Sequence, residues 1–225
     1  MKTIKLSGVT KAFGEFSLKI DNLEMQTQKM YGIIGSNGCG KTTLMKIIAG
    51  LEKPDTGSVS HDLKPQDITM VFRKPYLMNE TVEKNLYYPF KIRGIKPNKD
   101  KLDYYLDIAG LADQKSKNAK SLSGGAAQKL ALIRAIAFSP RLVLLDEGFS
   151  NMDIESVSVF ENLILEHQRE TRSTWFVISH QLSNIKRLCS EVYFMSKGEI
   201  LLNDKTEEIF ERPKIPELKK FLMYS

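Results

Sequence analysis

No apolar run in this 225-residue sequence approaches the roughly 18 to 20 residues that span a bilayer. The longest uninterrupted runs, such as Leu142 to Leu145, are strand-sized, so a soluble chain is expected and any membrane contact must come through a partner. Cysteine is scarce. Cys39 and Cys189 stand alone and in no metal-ligand spacing, which excludes a disulfide scaffold and points to a reduced, cytosolic setting. The opening Met1-Lys2-Thr3-Ile4-Lys5 runs into polar residues without the apolar stretch of a secretory signal. Internal repeats and low-complexity tracts are also missing. With 42% hydrophobic and 27% charged residues the composition is close to the globular average, which excludes long disorder and collagen-like structure. The charge excess is modest, 33 Lys+Arg against 27 Asp+Glu for a net +6, and by itself it admits nucleic acid, an anionic membrane or a phosphate ligand. The length fits one large domain, or one domain with a subdomain.

Along the chain the character changes twice. Ile4 to Leu6, Phe16 to Ile20, Met30 to Ile34 and Ile68 to Phe72 read as short strands, with a turn signal at Lys53-Pro54-Asp55-Thr56-Gly57. From about Lys74 to Ile136 the pattern becomes helical, with Pro75, Pro89 and Pro97 expected to separate segments. Leu102, Tyr105, Leu106 and Ala109 there fall at i, i+3, i+4 and i+7, one buried helix face. Afterwards Leu142 to Leu145, Trp175 to Ile178 and Val192 to Met195 alternate with a helical stretch, Ile154 to Arg169, as in a parallel sheet. The expected organisation is an α/β core over 1–73 and 137–225 into which a helical subdomain, 74–136, is inserted.

The run Gly35-Ser36-Asn37-Gly38-Cys39-Gly40-Lys41-Thr42, followed by Thr43, fits the pattern G-x-x-x-x-G-K-[ST] throughout. Average residue usage yields such a match in about one chain in a hundred of this length. A strand, Met30 to Ile34, leads in and a helix, Thr42 to Ala49, leads out with Leu44, Ile47 and Ile48 on one face. Glycines let backbone N–H groups converge on phosphate oxygens, and the helix N-terminus adds positive potential. Lys41 would then reach the β- and γ-phosphates and Thr42 would ligate Mg²⁺. Cys39 reads as a small space-filling residue. Leu142-Val143-Leu144-Leu145-Asp146-Glu147 is a buried-type strand that delivers two carboxylates at its C-terminal end, where open α/β sheets bind ligands. Alternating side-chain direction lets Asp146 address the metal while Glu147 points to an attacking water.

Leu122-Ser123-Gly124-Gly125 opens a helix, Ala126 to Ala137, just upstream of that acidic strand. With the phosphate loop it resembles the ATP-binding cassette (ABC) ATPases over nearly the whole chain, in order. The resemblance implies an α/β P-loop NTPase (RecA-like) core with an N-terminal antiparallel β subdomain and an inserted α-helical subdomain. It implies further that Phe13 stacks on adenine, that Ser123, Gly124, Gly125 and Asp153 meet ATP bound to an opposite subunit, and that His180 contacts the γ-phosphate. Two MgATP would thus be sandwiched between this chain and a copy of itself or a second cassette, with hydrolysis driving transport. The implied partners are a transmembrane permease subunit at the cytoplasmic face of the cell membrane and, for an importer, a substrate-binding protein. No nucleic acid is expected.

Three positions depart from the family pattern. Ala126 stands where Gln is usual, Gly148 where Pro is usual, and Arg73, at the end of the strand Ile68 to Phe72, where a Gln relays nucleotide state to the helical insert. A guanidinium can neither ligate a metal nor lose its charge, although it can pair with phosphate. ATP binding with slow or partner-dependent hydrolysis is therefore expected. The alternative is a non-transport or hydrolysis-impaired module acting as a nucleotide-gated interaction switch. Pro75-Tyr76-Leu77-Met78, just after Arg73, reads either as part of a permease-docking groove or as packing between subdomains. Lys74-Pro75-Tyr76 onward to Arg93-Gly94 is similar to cassettes of tungstate and molybdate-type oxyanion importers, and Ile209 to Pro213 with Phe221-Leu222 resembles the end of a minimal cassette without a regulatory domain.

Overall fold

In a computed structural model covering residues 2–224, the strands and helices follow in the order β1 Thr3–Phe13, β2 Phe16–Gln26, β3 Met30–Ile34, α1 Lys41–Ile48, β4 Thr56–Ser60, β5 Ile68–Val71, α2 Val82–Arg93, α3 Lys99–Ile108, α4 Gly124–Ile136, β6 Leu142–Asp146, α5 Ile154–Thr171, β7 Thr174–Ile178, α6 Leu182–Leu188, β8 Glu191–Ser196, β9 Glu199–Lys205, α7 Thr206–Glu211 and α8 Pro216–Met223. Positions 1 and 225 of the expected domain lie outside the described residues. Two compact units emerge. One joins the residues up to Pro65 with those from Thr174 onward, and the other is Gln66–Ser173.

The first unit carries an antiparallel sheet in the order β2-β1-β4. Alternation decides its faces: Leu18, Ile20, Leu23 and Met25 of β2 and Ile4, Leu6 and Val9 of β1 are buried, while their neighbours are mostly exposed. Phe13 pairs with Phe16 across a tight turn at Gly14, and the two strands run to 11 residues each, well beyond the expected Ile4 to Leu6 and Phe16 to Ile20. The same unit holds β7, β3 and β8 side by side and parallel, with β9 antiparallel on β8. Every residue of β3 and β7 is buried, the continuous apolar signature of a parallel sheet covered on both faces. Tyr31 stacks on Phe176 at 5.3 Å and donates through its hydroxyl to the Gln26 carbonyl at 2.8 Å.

In the second unit β5 and β6 pair in parallel, Ile68 opposite Leu142 through Val71 opposite Leu145. Helix α3 buries Leu102, Tyr105 and Leu106, and its C-cap Ala109 is buried with them, as the spacing predicts. Pro89 departs from the expected role. It lies inside α2 and separates nothing. An internal proline removes one helical hydrogen bond at a cost near 3 kcal/mol; here a Thr81 cap, a left-handed Gly94 and the buried Val82, Leu86 and Phe90 hold the helix across it. The α/β class, with one antiparallel and one mainly parallel sheet, agrees with the sequence reading.

Candidate nucleotide site

Strand β3 ends at Ile34, and residues 35–40 turn back into α1, whose N-cap Gly40 has φ 103°, a left-handed conformation that favours glycine. A side chain there would also meet Phe16 at 2.9 Å. Lys41 folds over the loop, donating from Nζ to the carbonyls of Gly35 at 2.7 Å and Ser36 at 2.9 Å, so its ammonium is held where the loop's backbone converges. Cys39 is buried, and burial raises its thiol pKa against the lowering influence of Lys41. It is a packed neutral group, as expected, and no nucleophile. His180 follows the end of β7 and Ser196 ends β8, so the carboxyl ends of β7, β3 and β8 meet in one cavity of about 530 Å³ lined by Gly35, Ser36, Asn37, Lys41, His180 and Ser196. Carboxyl ends of parallel strands are where α/β sheets bind ligands.

In the second unit β6 carries Asp146, 6% exposed, at its end. Glu147 follows with φ 53°, a conformation that costs a non-glycine residue about 1 to 3 kcal/mol and concentrates at functional sites. Its Oε2 lies 3.1 Å from Arg73 Nε. Ser123 caps α4, accepting from the Ala126 N–H at 3.3 Å. The helix therefore begins at Gly124, two residues before the expected Ala126. A side chain at Gly125 would come within 2.6 Å of the Asn151 carbonyl, so the loop at 150–152 crosses the start of α4 at backbone contact. Asp153 caps α5, accepting from the Ser156 N–H at 2.7 Å and its hydroxyl at 2.8 Å; the backbone bond is the larger cause that holds its carboxyl below the ordinary range.

Residues 18–150, from near the start of β2 past the acidic strand, match the model of a family described as "ABC transporter". The chain belongs to the ABC transporter family. It is 35% identical to the tungstate uptake system ATP-binding protein TupC of Peptoclostridium acidaminophilum, over 88% of this chain and 96% of that protein. It is 33% identical to the methionine import ATP-binding protein MetN 4 of Oceanobacillus iheyensis (97% of this chain, 70% of that one) and 32% identical to MetN 1 of Listeria monocytogenes (97% and 71%). Loop residues 35–43, Arg73, Ser123, Gly124, Gly125, Asp146 and Glu147 fall inside the matched segment, whereas Phe13, Asp153 and His180 lie outside it.

Each unit of this ABC subunit thus gathers part of the expected set. Phe13 is half exposed, with Lys11 Nζ 5.5 Å from its ring centroid, so it is no core residue. Tyr76 is 74% exposed while Leu77 is buried; packing accounts for the leucine and leaves the tyrosine on the surface. Tyr76, Tyr88 and Ile92, with Arg93 and Arg134, line a groove of about 520 Å³. Arg134 donates to the Tyr76 carbonyl at 2.6 Å and to Asn85 Oδ1 at 3.2 Å. Sequence reasoning missed both Arg134 and α8, whose Glu217, Lys220 and Phe221 line the cavity with His180. The available signal for α8 was Pro216 ahead of Leu218, Phe221 and Leu222 at helical spacing.

Proposed function

We propose that the chain is the ATP-hydrolysing subunit of an ABC importer, dimerising around two MgATP and docking a transmembrane permease. The observation that carries this reading is the loop that holds the Lys41 ammonium over its own carbonyls in a cavity shared with His180. On ATP binding the loop N–H groups and Lys41 take the phosphates, Phe13 the adenine, and His180 the γ-phosphate. Mg²⁺ keeps several waters and phosphate oxygens and needs only one or two hard oxygen ligands from protein. The Thr42 hydroxyl and the Asp146 carboxylate are of that kind, and no group of three or more His, Cys, Asp or Glu residues among the described residues could hold a metal alone. When bound, the ion would supply charge neutralisation on the phosphates. Glu147 accepts the proton of the attacking water.

Ser123, Gly124 and Gly125 stand at a helix N-terminus suited to an anion, and together with Asp153, which caps the next helix with its own carboxylate, they serve the ATP of the opposite subunit. Among the described residues no helix is long and apolar enough to cross a membrane, so peripheral attachment through the permease fits. Exposed aromatics beside two arginines, in the groove between β5, α2 and α4, suit a protein interface. An oxyanion cargo is favoured over methionine on the 35% identity to the tungstate protein, against 33% and 32% to the methionine ones. Steady-state ATPase measurement tests the reading. Wild type should hydrolyse MgATP, and Glu147→Gln should fall at least 100-fold while still binding nucleotide, as removal of a general base typically costs about 10²–10⁴-fold; comparable rates would contradict it.

A further inference from the structure

Opposite Val71 in the parallel ladder stands Leu145, so two residues further on Arg73 and Glu147 occupy the same row at the strand ends. Their side chains meet there, Arg73 Nε 3.1 Å from Glu147 Oε2. We propose that Arg73 is a positioning residue, a weak electrostatic latch that holds the Glu147 carboxylate in a resting orientation and must release before hydrolysis. The inference rests on the reading of Glu147 as base.

The backbone around the latch is fixed. Ser150 Oγ donates to the Arg73 carbonyl at 3.1 Å, and the Gln128 side chain, reaching from α4, donates to the Phe72 carbonyl at 3.3 Å. The Arg73 side chain is 68% exposed and has room to move, whereas Glu147 is 15% exposed. In hydrolysis the water oxygen bonds to the γ-phosphorus, the bond to the bridging oxygen breaks with its electron pair leaving on ADP, and the water proton passes to the carboxylate. While Oε2 accepts from the guanidinium the carboxylate is held in that orientation and must turn to meet the water, and the guanidinium cannot vacate by losing its charge. An ion pair with one partner open to solvent is weak, however. The latch therefore throttles turnover rather than abolishing it, and whatever draws Arg73 away opens it. Because Arg73 leads directly into Lys74-Pro75-Tyr76 beside the groove, a docked partner is well placed to do so.

Steady-state MgATP hydrolysis by the purified full chain, at low and high salt, decides the matter. Arg73→Gln should raise kcat by about two- to five-fold with KM for ATP unchanged, the span set by an exposed ion pair. Salt should stimulate wild type, and likewise Arg73→Lys, by screening the pair, and should leave Arg73→Gln flat. An Arg73→Gln no faster than wild type, beside an inactive Glu147→Gln, overturns the latch alone; a slower one assigns Arg73 to phosphate and also overturns it. A Glu147→Gln as fast as wild type overturns the reading of Glu147 and the latch with it.

Discussion

Buried in α5, the His167 imidazole donates through Nε2 to the Ile136 carbonyl at 3.1 Å and is 2% exposed. Burial, reinforced by Lys101, lowers its pKa from 6.5 to about 4. The unfolded chain therefore binds a proton before the folded one does. Stability is fully present above about pH 6.5 and is lost as pH falls toward about 4, a difference worth about 3 kcal/mol at roughly 1.4 kcal/mol per pH unit. Urea denaturation at pH 7 and pH 4.5 should show a shallower loss in His167→Gln than in wild type, and parallel losses would contradict the assignment. Individual residues differed in how far the sequence alone exposed them. Lys41 was legible because a phosphate loop imposes a spacing, and Arg73 because it breaks a pattern. Its pairing with Glu147 was not legible, because two positions 74 apart meet only through the β5–β6 register.

Among the elements, α2 shows how much local chemistry a tertiary setting can override. Its Thr81 side chain accepts from the Lys84 N–H at 3.2 Å, and Gly94 closes the other end. Because Pro89 already removes an internal bond, the cap carries more of the helix than usual. Thr81→Ala should lower stability by about 1 kcal/mol, within the usual 0.5 to 2 for a lost N-cap, with faster amide exchange in the first turn of α2; unchanged exchange would sink the idea. The buried strands β3, β6 and β7 were readable because they are runs of mainly apolar residues, with only Thr174 and the terminal Asp146 clearly polar. Strand β9 was not. Glu199 to Lys205 alternates at an exposed rim, with Asn203 and Asp204 in its path, and only its pairing with β8 makes it a strand. Strand β4 likewise hid inside a turn signal, since Thr56 and Gly57 both belong to it.

At the scale of the whole molecule the proposal is one of incompleteness. On that proposal the chain binds nucleotide through the β3 loop and His180, and offers Ser123, Gly124, Gly125 and Asp153 to the nucleotide of another subunit. Its net charge of +6 then needs no nucleic acid: Lys41 serves phosphate, and basic residues on the surface suit a setting beside an anionic membrane. The proposed assembly rests, in the sequence, on family resemblance alone, because a helix N-terminus carries no local mark of what will meet it. Its most direct test is the molecular mass of Glu147→Gln by analytical ultracentrifugation, with and without excess MgATP. The account predicts a monomer without nucleotide and a dimer retaining two ATP with it. A variant that binds MgATP yet sediments as a monomer would contradict it.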